Sequence, residues 1–499
     1  MTSFKKEVKF LVTRMPKLEE ITKSVSVLLF VLISFHSMGQ VRQWTLDECI
    51  DEAIKNNLTV AQVATTNETN RVSIFDAQGN RVPTLNGNAA QNFQMGHSMD
   101  PSTNQFVKEN YHTNTFSLTS GITLFNGFQN LNTVKQARIN YQSGSYDIAK
   151  AKNDVALSVT AGYLQVLLGY EQADNYGKQI QYTQAMVEKT QKQIDAGSLA
   201  EVNIYTIKSQ LATDNYNFVN AKSQLMIYKV NLQQLMNMPV VDSFEIERPV
   251  FQNIIGADTV LSREDVYNYA LKNQPQIKSY ALKSKSALVG LQIARGGAIP
   301  RLTFNSSIST NYSSTNTLTQ IYSGAPKTVT VGYVNGATNM PVINEVPTTI
   351  SSQNPYPFNQ QLKNKVGETF SFNLVVPILN NFNIRAAIMQ AKVNMKLAKI
   401  NEDTQKMNLR QSIEQAYVDY KTSYANYKSS LDQFAAWEKS YNIAVRKLAL
   451  GAFSDADYLL DKNNYVQGQS IVVQAKYNFI FKTMVLNFYH GKPLSFNKE

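Results

Sequence analysis

The sequence is short of the residues on which most enzyme chemistry depends. It holds one cysteine, Cys49, in 499 residues, so no disulfide can form within a chain. It holds four histidines, His36, His97, His112 and His490. No metal-ligand cluster, phosphate-cradling glycine loop or nucleophile motif accompanies them. A hydrolase or transferase therefore has no residues to stand on, and nothing in the chain asks for a cofactor. No apolar run reaches the roughly 18 residues of a membrane-spanning helix. Proline is missing from Phe128 to Met238 and again from Phe382 to Lys492, two intervals of equal length. An interior proline costs a helix about 3 kcal/mol, so these gaps are what long helices require.

The composition is that of a folded chain, 43% hydrophobic and 17% charged. The net charge of +11 is dispersed among Gln, Asn and Tyr. It reads as solvated helix faces and not as the single basic stripe of a nucleic-acid binder. The one apolar run worth naming, Val25 to Phe35, follows Lys5, Lys6, Lys9, Arg14, Lys17 and Lys23 and precedes Ser37 and Gly39. Residues 1–40 read as a secretory signal peptide, with Met15 as an alternative start. A buried core helix is the competing interpretation. Asp47 and Glu48 make Cys49 a poor lipid anchor, and it reads as a packed helix residue.

The remainder is written twice. Thr45-Leu46-Asp47-Glu48 and Ala53-Ile54-Lys55-Asn56 recur as Ser262-Arg263-Glu264-Asp265 and Ala270-Leu271-Lys272-Asn273, at an offset of 217 residues. Pro83-Thr84-Leu85 recurs as Pro300-Arg301-Leu302 at the same offset. From Thr115-Phe116-Ser117 the offset is 254: Thr369-Phe370-Ser371, then Phe128 with Phe382, Tyr163 with Tyr417, Gly197 with Gly451. The change of 37 residues is an insertion between about 306 and 368. It is rich in Ser, Thr, Asn, Gly and Pro and reads as a long exposed loop. The predicted organisation is a first repeat over 41–250, a second over 251–490 carrying the loop 306–368, and a tail, 491–499.

Each repeat contains a two-residue alternation. Phe116, Leu118, Ile122 and Leu124 fall opposite Thr115, Ser117, Thr119 and Thr123. Phe370, Phe372, Leu374, Val376 and Ile378 fall opposite Thr369, Ser371, Asn373 and Val375. Such segments are strands with one apolar and one polar face, long enough to cross a bilayer at a tilt. Leu302, Phe304, Ile308 and Tyr312 form a third, and Leu85 to Phe93 a weaker fourth. Half-buried strands of a soluble sandwich are the alternative, but four strands in two separated hairpins make a poor sandwich. Asn126-Gly127 and Asn380-Asn381 then break the strands, being residues that tolerate positive φ. Beyond them, Val155, Val159, Tyr163, Val166 and Tyr170, and Leu409, Ile413, Tyr417, Tyr420 and Tyr424, step by three and four along long helices. Gly197 and Gly451 are placed where each helical hairpin turns.

Four strands cannot satisfy their own edges in lipid or close a barrel. The chain is therefore expected to oligomerise, three copies giving twelve strands. The order helix, strand, loop, strand, long helical hairpin, in duplicate, resembles the TolC-like outer-membrane efflux proteins. So do Trp44-Thr45-Leu46-Asp47-Glu48-Cys49, Leu124-Phe125-Asn126-Gly127 and Ala196-Gly197-Ser198-Leu199-Ala200-Glu201-Val202. The resemblance implies a mainly α protein with membrane β: a homotrimer whose four strands per chain join one 12-stranded barrel in the lipid of the outer membrane. Its helical hairpins would form an α-barrel across the periplasm, toward a periplasmic adaptor and an inner-membrane pump.

The same resemblance points to the hairpin tip. Asp457 falls on the family's first aperture aspartate. Leu460 occupies the second position, with Asp461 beside it and Asp455 nearby. As rings of like charge these acids would attract cations; the alternative is acids favoured by a helix N-terminus. The family's polar latch, a Tyr and an Arg around the tip glycine, is replaced by Leu448 and Phe453. Two other functions stay open at this level, a periplasmic adaptor and a structural coiled-coil surface protein.

Overall fold

The computed structural model describes residues 42–99, 104–107, 110–249, 262–336, 340–449 and 455–496. The expected signal peptide, Gly451 and Phe453 lie outside them. The chain forms two compact units. One comprises the described parts of 1–65, 146–278 and 404–499, and the other 66–145 and 279–403. Among the described residues no helix is long and apolar enough to cross a membrane.

The first unit is helical. A two-residue strand β1 (Gln43–Trp44) leads into α1 (Leu46–Asn56) through a capping box. Thr45 Oγ1 accepts from the Glu48 amide, and the Glu48 carboxylate accepts from the Thr45 amide. Helix α3 (Gln129–Asp195) enters this unit and returns as α4 (Val202–Leu235). Helix α8 (Asn383–Ala449) enters it and returns as α9 (Asp455–Tyr489). Both long helices have 67 residues, about 100 Å at 1.5 Å per residue. Their apolar stripes become two cores. In the first, Cys49 and Ala53 of α1 meet Val159, Tyr163, Val166 and Tyr170 of α3 and Leu232 of α4. In the second, Val266 and Ala270 of α5 (Arg263–Asn273) meet Leu409, Ile413 and Tyr417 of α8. Cys49 and Val266 stand at the offset of 217, and Tyr163 and Tyr417 at 254, so the two cores are copies of one packing scheme. The Tyr163 hydroxyl donates to the carbonyls of Trp44 (3.1 Å) and Glu247 (2.7 Å). It thus ties β1 to its parallel partner β4 (Glu245–Ile246). Burial pushes the Cys49 thiol up to about 12, with Glu48 adding to the shift, which leaves it inert as a nucleophile or ligand.

The second unit holds α2 (Leu58–Gly79, from Thr66), the start of α3, α6 (Pro275–Gly296, from Ser279), the start of α8 and a four-stranded antiparallel sheet. Its strands are β2 (Thr84–Gln94), β3 (Tyr111–Asn126), β5 (Arg301–Ser313) and β8 (Gly367–Val375), in the order β8-β5-β3-β2. The repeats meet inside the sheet, β3 of the first pairing with β5 of the second.

Three sequence expectations need correction. Strand β8 stops at Val375 and does not reach Val376 and Ile378, because Pro377 has no N–H for the ladder. A bulge between Thr123 and Phe125 places Phe125, and not Leu124, opposite Leu302, since one extra residue shifts the alternation by one. The insertion at 306–368 is exposed but is not an unstructured loop. It carries the end of β5, a long hairpin of β6 (Thr317–Val334) with β7 (Met340–Pro355), the short helix α7 (Phe358–Asn364) and the start of β8. Its composition hides a β pattern, Thr328-Val329-Thr330-Val331 among others. Pro326 falls in the register shift between Gly324 and Lys327, where no donor is needed.

Candidate functional site

Direct pairing across the ladders sorts the sheet residues by face. One face carries Thr84, Asn86, Asn88, Thr115, Ser117, Thr119, Asn305, Ser307, Ser309, Thr369, Ser371 and Asn373. It is polar, with Arg301 at the start of β5 as its charged residue. The other carries the row Ile122-Phe304-Phe372 and the row Leu118-Ile308, which ends in Glu368 near the start of β8. Phe370, Phe372, Leu374, Leu85, Leu118 and Ile308 on this second face are exposed large hydrophobics. The sheet is also open: β2 and β8 each have one unpaired edge. The sheet thus has one largely apolar face, one polar face and two edge strands.

The strand-to-helix turns fasten this sheet to its helices. Gly127 and Phe128 both adopt positive φ (62° and 63°), as do Asn381 and Phe382 (52° and 60°). At Gly127 the reason for glycine is space as well as angle. A Cβ there would stand 2.3 Å from the carbonyl oxygen of Gly296 and 2.8 Å from Ile299 Cβ. Asn126 accepts from the Asn130 amide at 3.3 Å, capping the start of α3. Asn380 accepts from the Asn383 amide through its carbonyl at 3.0 Å.

At the other end of α3, Gly197 has φ 68°. Its amide donates to Ile194 O (2.8 Å), and the Ser198 amide donates to Gln193 O (2.9 Å). These bonds satisfy two carbonyls that the helix end leaves open, in a Schellman motif. The corresponding Gly451 lies outside the described residues. Asp455 is the first residue of α9, and Asp457 follows in the first turn with its side chain exposed. Asp461, half-buried, accepts from Ser440 Oγ at 3.0 Å. Asp457, Leu460 and Asp461 share one side of the helix by their spacing. Leu448 is half-buried near the end of α8.

The neighbouring side of α9, about 100° round the helix, shows what sequence reasoning missed. Tyr458 and Tyr465 pack on Tyr441 of α8 (centroids 6.0 and 4.8 Å). Between them, Lys462 is buried with its Nζ 2.7 Å from Asp214 Oδ2 of α4 and 2.8 Å from Thr183 Oγ1 of α3. Gln210 donates to the second Asp214 oxygen at 2.9 Å. This water-excluded ion pair joins the two helical hairpins just behind the acids of the tip. Burial pulls the Lys462 amine below its ordinary value, and Asp214 opposes that pull. The available signal was a lysine inside an aromatic stripe, at i+4 from Tyr458 and three residues before Tyr465.

Among the described residues, no group of His, Cys, Asp or Glu could hold a metal ion. Comparison with known proteins places these helices and this sheet in a family. Residues 49–238 and 266–480 match the family model described as outer membrane efflux protein. A curated relative, toxin and drug export protein A of Aggregatibacter actinomycetemcomitans, is 19% identical over 442 residues, covering 87% of this chain and 83% of its own. The fold is similar to the Vibrio cholerae outer membrane protein VceC (TM-score 0.69, 12% identity, 90% of this chain and 96% of that one). It is also similar to the Campylobacter jejuni CmeC outer membrane channel (0.67, 16%, 90% and 87%). The adaptor reading required one helical hairpin flanked by soluble β-domains, whereas the described residues form two long helical hairpins. The chain belongs to the outer membrane efflux protein family, a family of transport channels.

Proposed function

We propose that three copies of this chain close their sheets into one twelve-stranded barrel in the outer membrane, and that their helical hairpins continue it as a periplasmic duct. The observation that carries this reading is the open four-stranded sheet, with one apolar face, one Ser/Thr/Asn face and two free edges. The apolar face suits lipid, and the polar face, charged only at Arg301 where β5 begins, suits a water-filled lumen. The repeats 41–250 and 251–490 then each supply one hairpin of strands and one of helices, after removal of the signal peptide 1–40. A periplasmic adaptor and an inner-membrane pump would dock at the helical end, and the pump would choose the cargo. The relative named for toxin and drug export makes small toxic molecules or secreted proteins the cargo classes to try first.

The face assignment is testable by one pair of neighbours on β8. Phe372→Arg puts a charge toward lipid and is expected to cost about 2–4 kcal/mol near mid-bilayer, read as loss of membrane-inserted protein. Asn373→Arg puts the same charge into the lumen and should leave insertion intact while changing ion selectivity. Equal loss from both would remove the assignment.

Asp457, with Asp455 and Asp461, is proposed as the cation-attracting ring at the periplasmic aperture. Asp457 is exposed at the start of α9 beside Leu460; a helix N-terminus alone would also favour acids there. In planar-bilayer recordings, Asp457→Asn should weaken block by multivalent cations, and more so at low salt. Unchanged block assigns the acids to the helix end.

A further inference from the structure

We infer that Arg301 sets the charge preference of the barrel, drawing small anions into the lumen where the strands meet the helices. This rests on the barrel proposed above and assigns the residue that selects within it. The four strands β2, β3, β5 and β8 hold one acidic and one basic residue between them, Glu368 and Arg301. The two lie apart. Glu368 stands opposite Ile308 on the apolar face, whereas Arg301 is on the polar face, about 23 Å from Ile308 along β5 at 3.3 Å per residue. The rows that follow Arg301 up the polar face are neutral: Thr123-Thr303-Asn373, Gly121-Asn305-Ser371 and Thr119-Ser307-Thr369. A single unopposed charge among hydroxyls and amides sets the sign of the potential over that face.

The position of Arg301 is fixed on both sides. β5 is an inner strand, and Arg301 pairs with Asn126 of β3 and with Val375 of β8. Asn126 is the last residue of β3 and leads into the Gly127 turn, so this row lies at the end of the sheet where the helices begin. The arginine is exposed, and neither neighbour is an acid. Among the described residues no carboxylate pairs with it.

The fold does not demand an arginine here. At the offset of 217 its counterpart is Thr84, which opens β2 after Pro83 as Arg301 opens β5 after Pro300. The Thr84 hydroxyl donates to Gly121 O at 3.3 Å, so the first repeat turns this side chain onto its own ladder. One chain therefore supplies one guanidinium, and a ring of three copies supplies three at one level. Like charges around one water-filled space raise the local concentration of anions and lower that of cations. The guanidinium stays charged at any working pH and offers paired donors to carboxylate, sulfate or phosphate.

The test is single-channel recording of the full mature protein in planar bilayers under a potassium chloride gradient. At about 0.1 M salt, Arg301→Gln should lower the chloride-to-potassium permeability ratio by on the order of tenfold. Arg301→Glu should lower it further, and Arg301→Lys should keep it near the parent value. The differences should shrink toward about 1 M salt, where screening acts within about 3 Å. Arg301→Cys gives an independent reading. Cys49 is fully buried, so the introduced thiol alone reacts: a cationic methanethiosulfonate should restore the parent ratio and an anionic one should depress it. Conducting channels whose ratio moves with neither substitution nor reagent overturn the role of Arg301 and leave the barrel standing. A parent protein that forms no channel overturns both.

Discussion

Replacing Lys462 by methionine is expected to destabilise the protein by about 3–5 kcal/mol, the largest single effect available in the helical unit. The amine is 1% exposed and its partner carboxylate 5%. Removing the cation leaves Asp214 charged near Tyr458 and Tyr441, with Thr183 and Gln210 to donate to it. The double variant Lys462→Met, Asp214→Leu removes both desolvation costs. It should recover most of the loss, because apolar replacement of a buried ion pair is commonly neutral or stabilising. Thr183 keeps a partner in that background, the carbonyl of Gln179 at 3.0 Å. Denaturant unfolding followed by helical circular dichroism checks both variants. A Lys462→Met protein as stable as the parent would show that water reaches the pair. The two variants also separate stability from gating. If this link between the hairpins holds the tip closed, the double variant should be stable and yet conduct more.

Gly127→Ala is the second large effect. A left-handed residue with a Cβ costs about 1–2 kcal/mol, and forcing a methyl into a packed site costs about 1–3 more. Here the obstacle is backbone, the Gly296 carbonyl at 2.3 Å, which has no rotamer by which to withdraw. The loss of about 2–5 kcal/mol falls where the sheet is fastened to α3, so less protein should reach the membrane folded. Gly197→Ala is the matched comparison. The φ is similar at 68°, but nothing lies within 4 Å of its Cβ, so only the conformational part remains. Equal losses at the two glycines would mean that the contact with Gly296 carries no weight.

Much of this architecture is legible in the sequence because its periods are long and its copies can be checked against each other. Tyr163 and Tyr417, or Cys49 and Val266, are each weak evidence; at one fixed offset they report one packing arrangement. The hairpin within 306–368 was illegible for a complementary reason. It has no counterpart in the first repeat, and its strands are exposed on both faces, so no single apolar face marked the period. The ends of β3 and β8 depended on a bulge and a proline, local events that alternation alone does not locate. At the Lys462 link the repeats diverge. Thr183 and Asp214 of the first copy correspond to Trp437 and Gly468 of the second, where the indole fills the space at Gly468. Departures from the repeat, more than agreements with it, mark where the two hairpins take different roles.

Native mass spectrometry of the mature protein extracted from membranes in mild detergent addresses the shared wall most directly. Three chains in one particle, with no stable monomer, is the expected result. A folded single chain that stays in solution without detergent would show that β2 and β8 need no neighbour, and would contradict it.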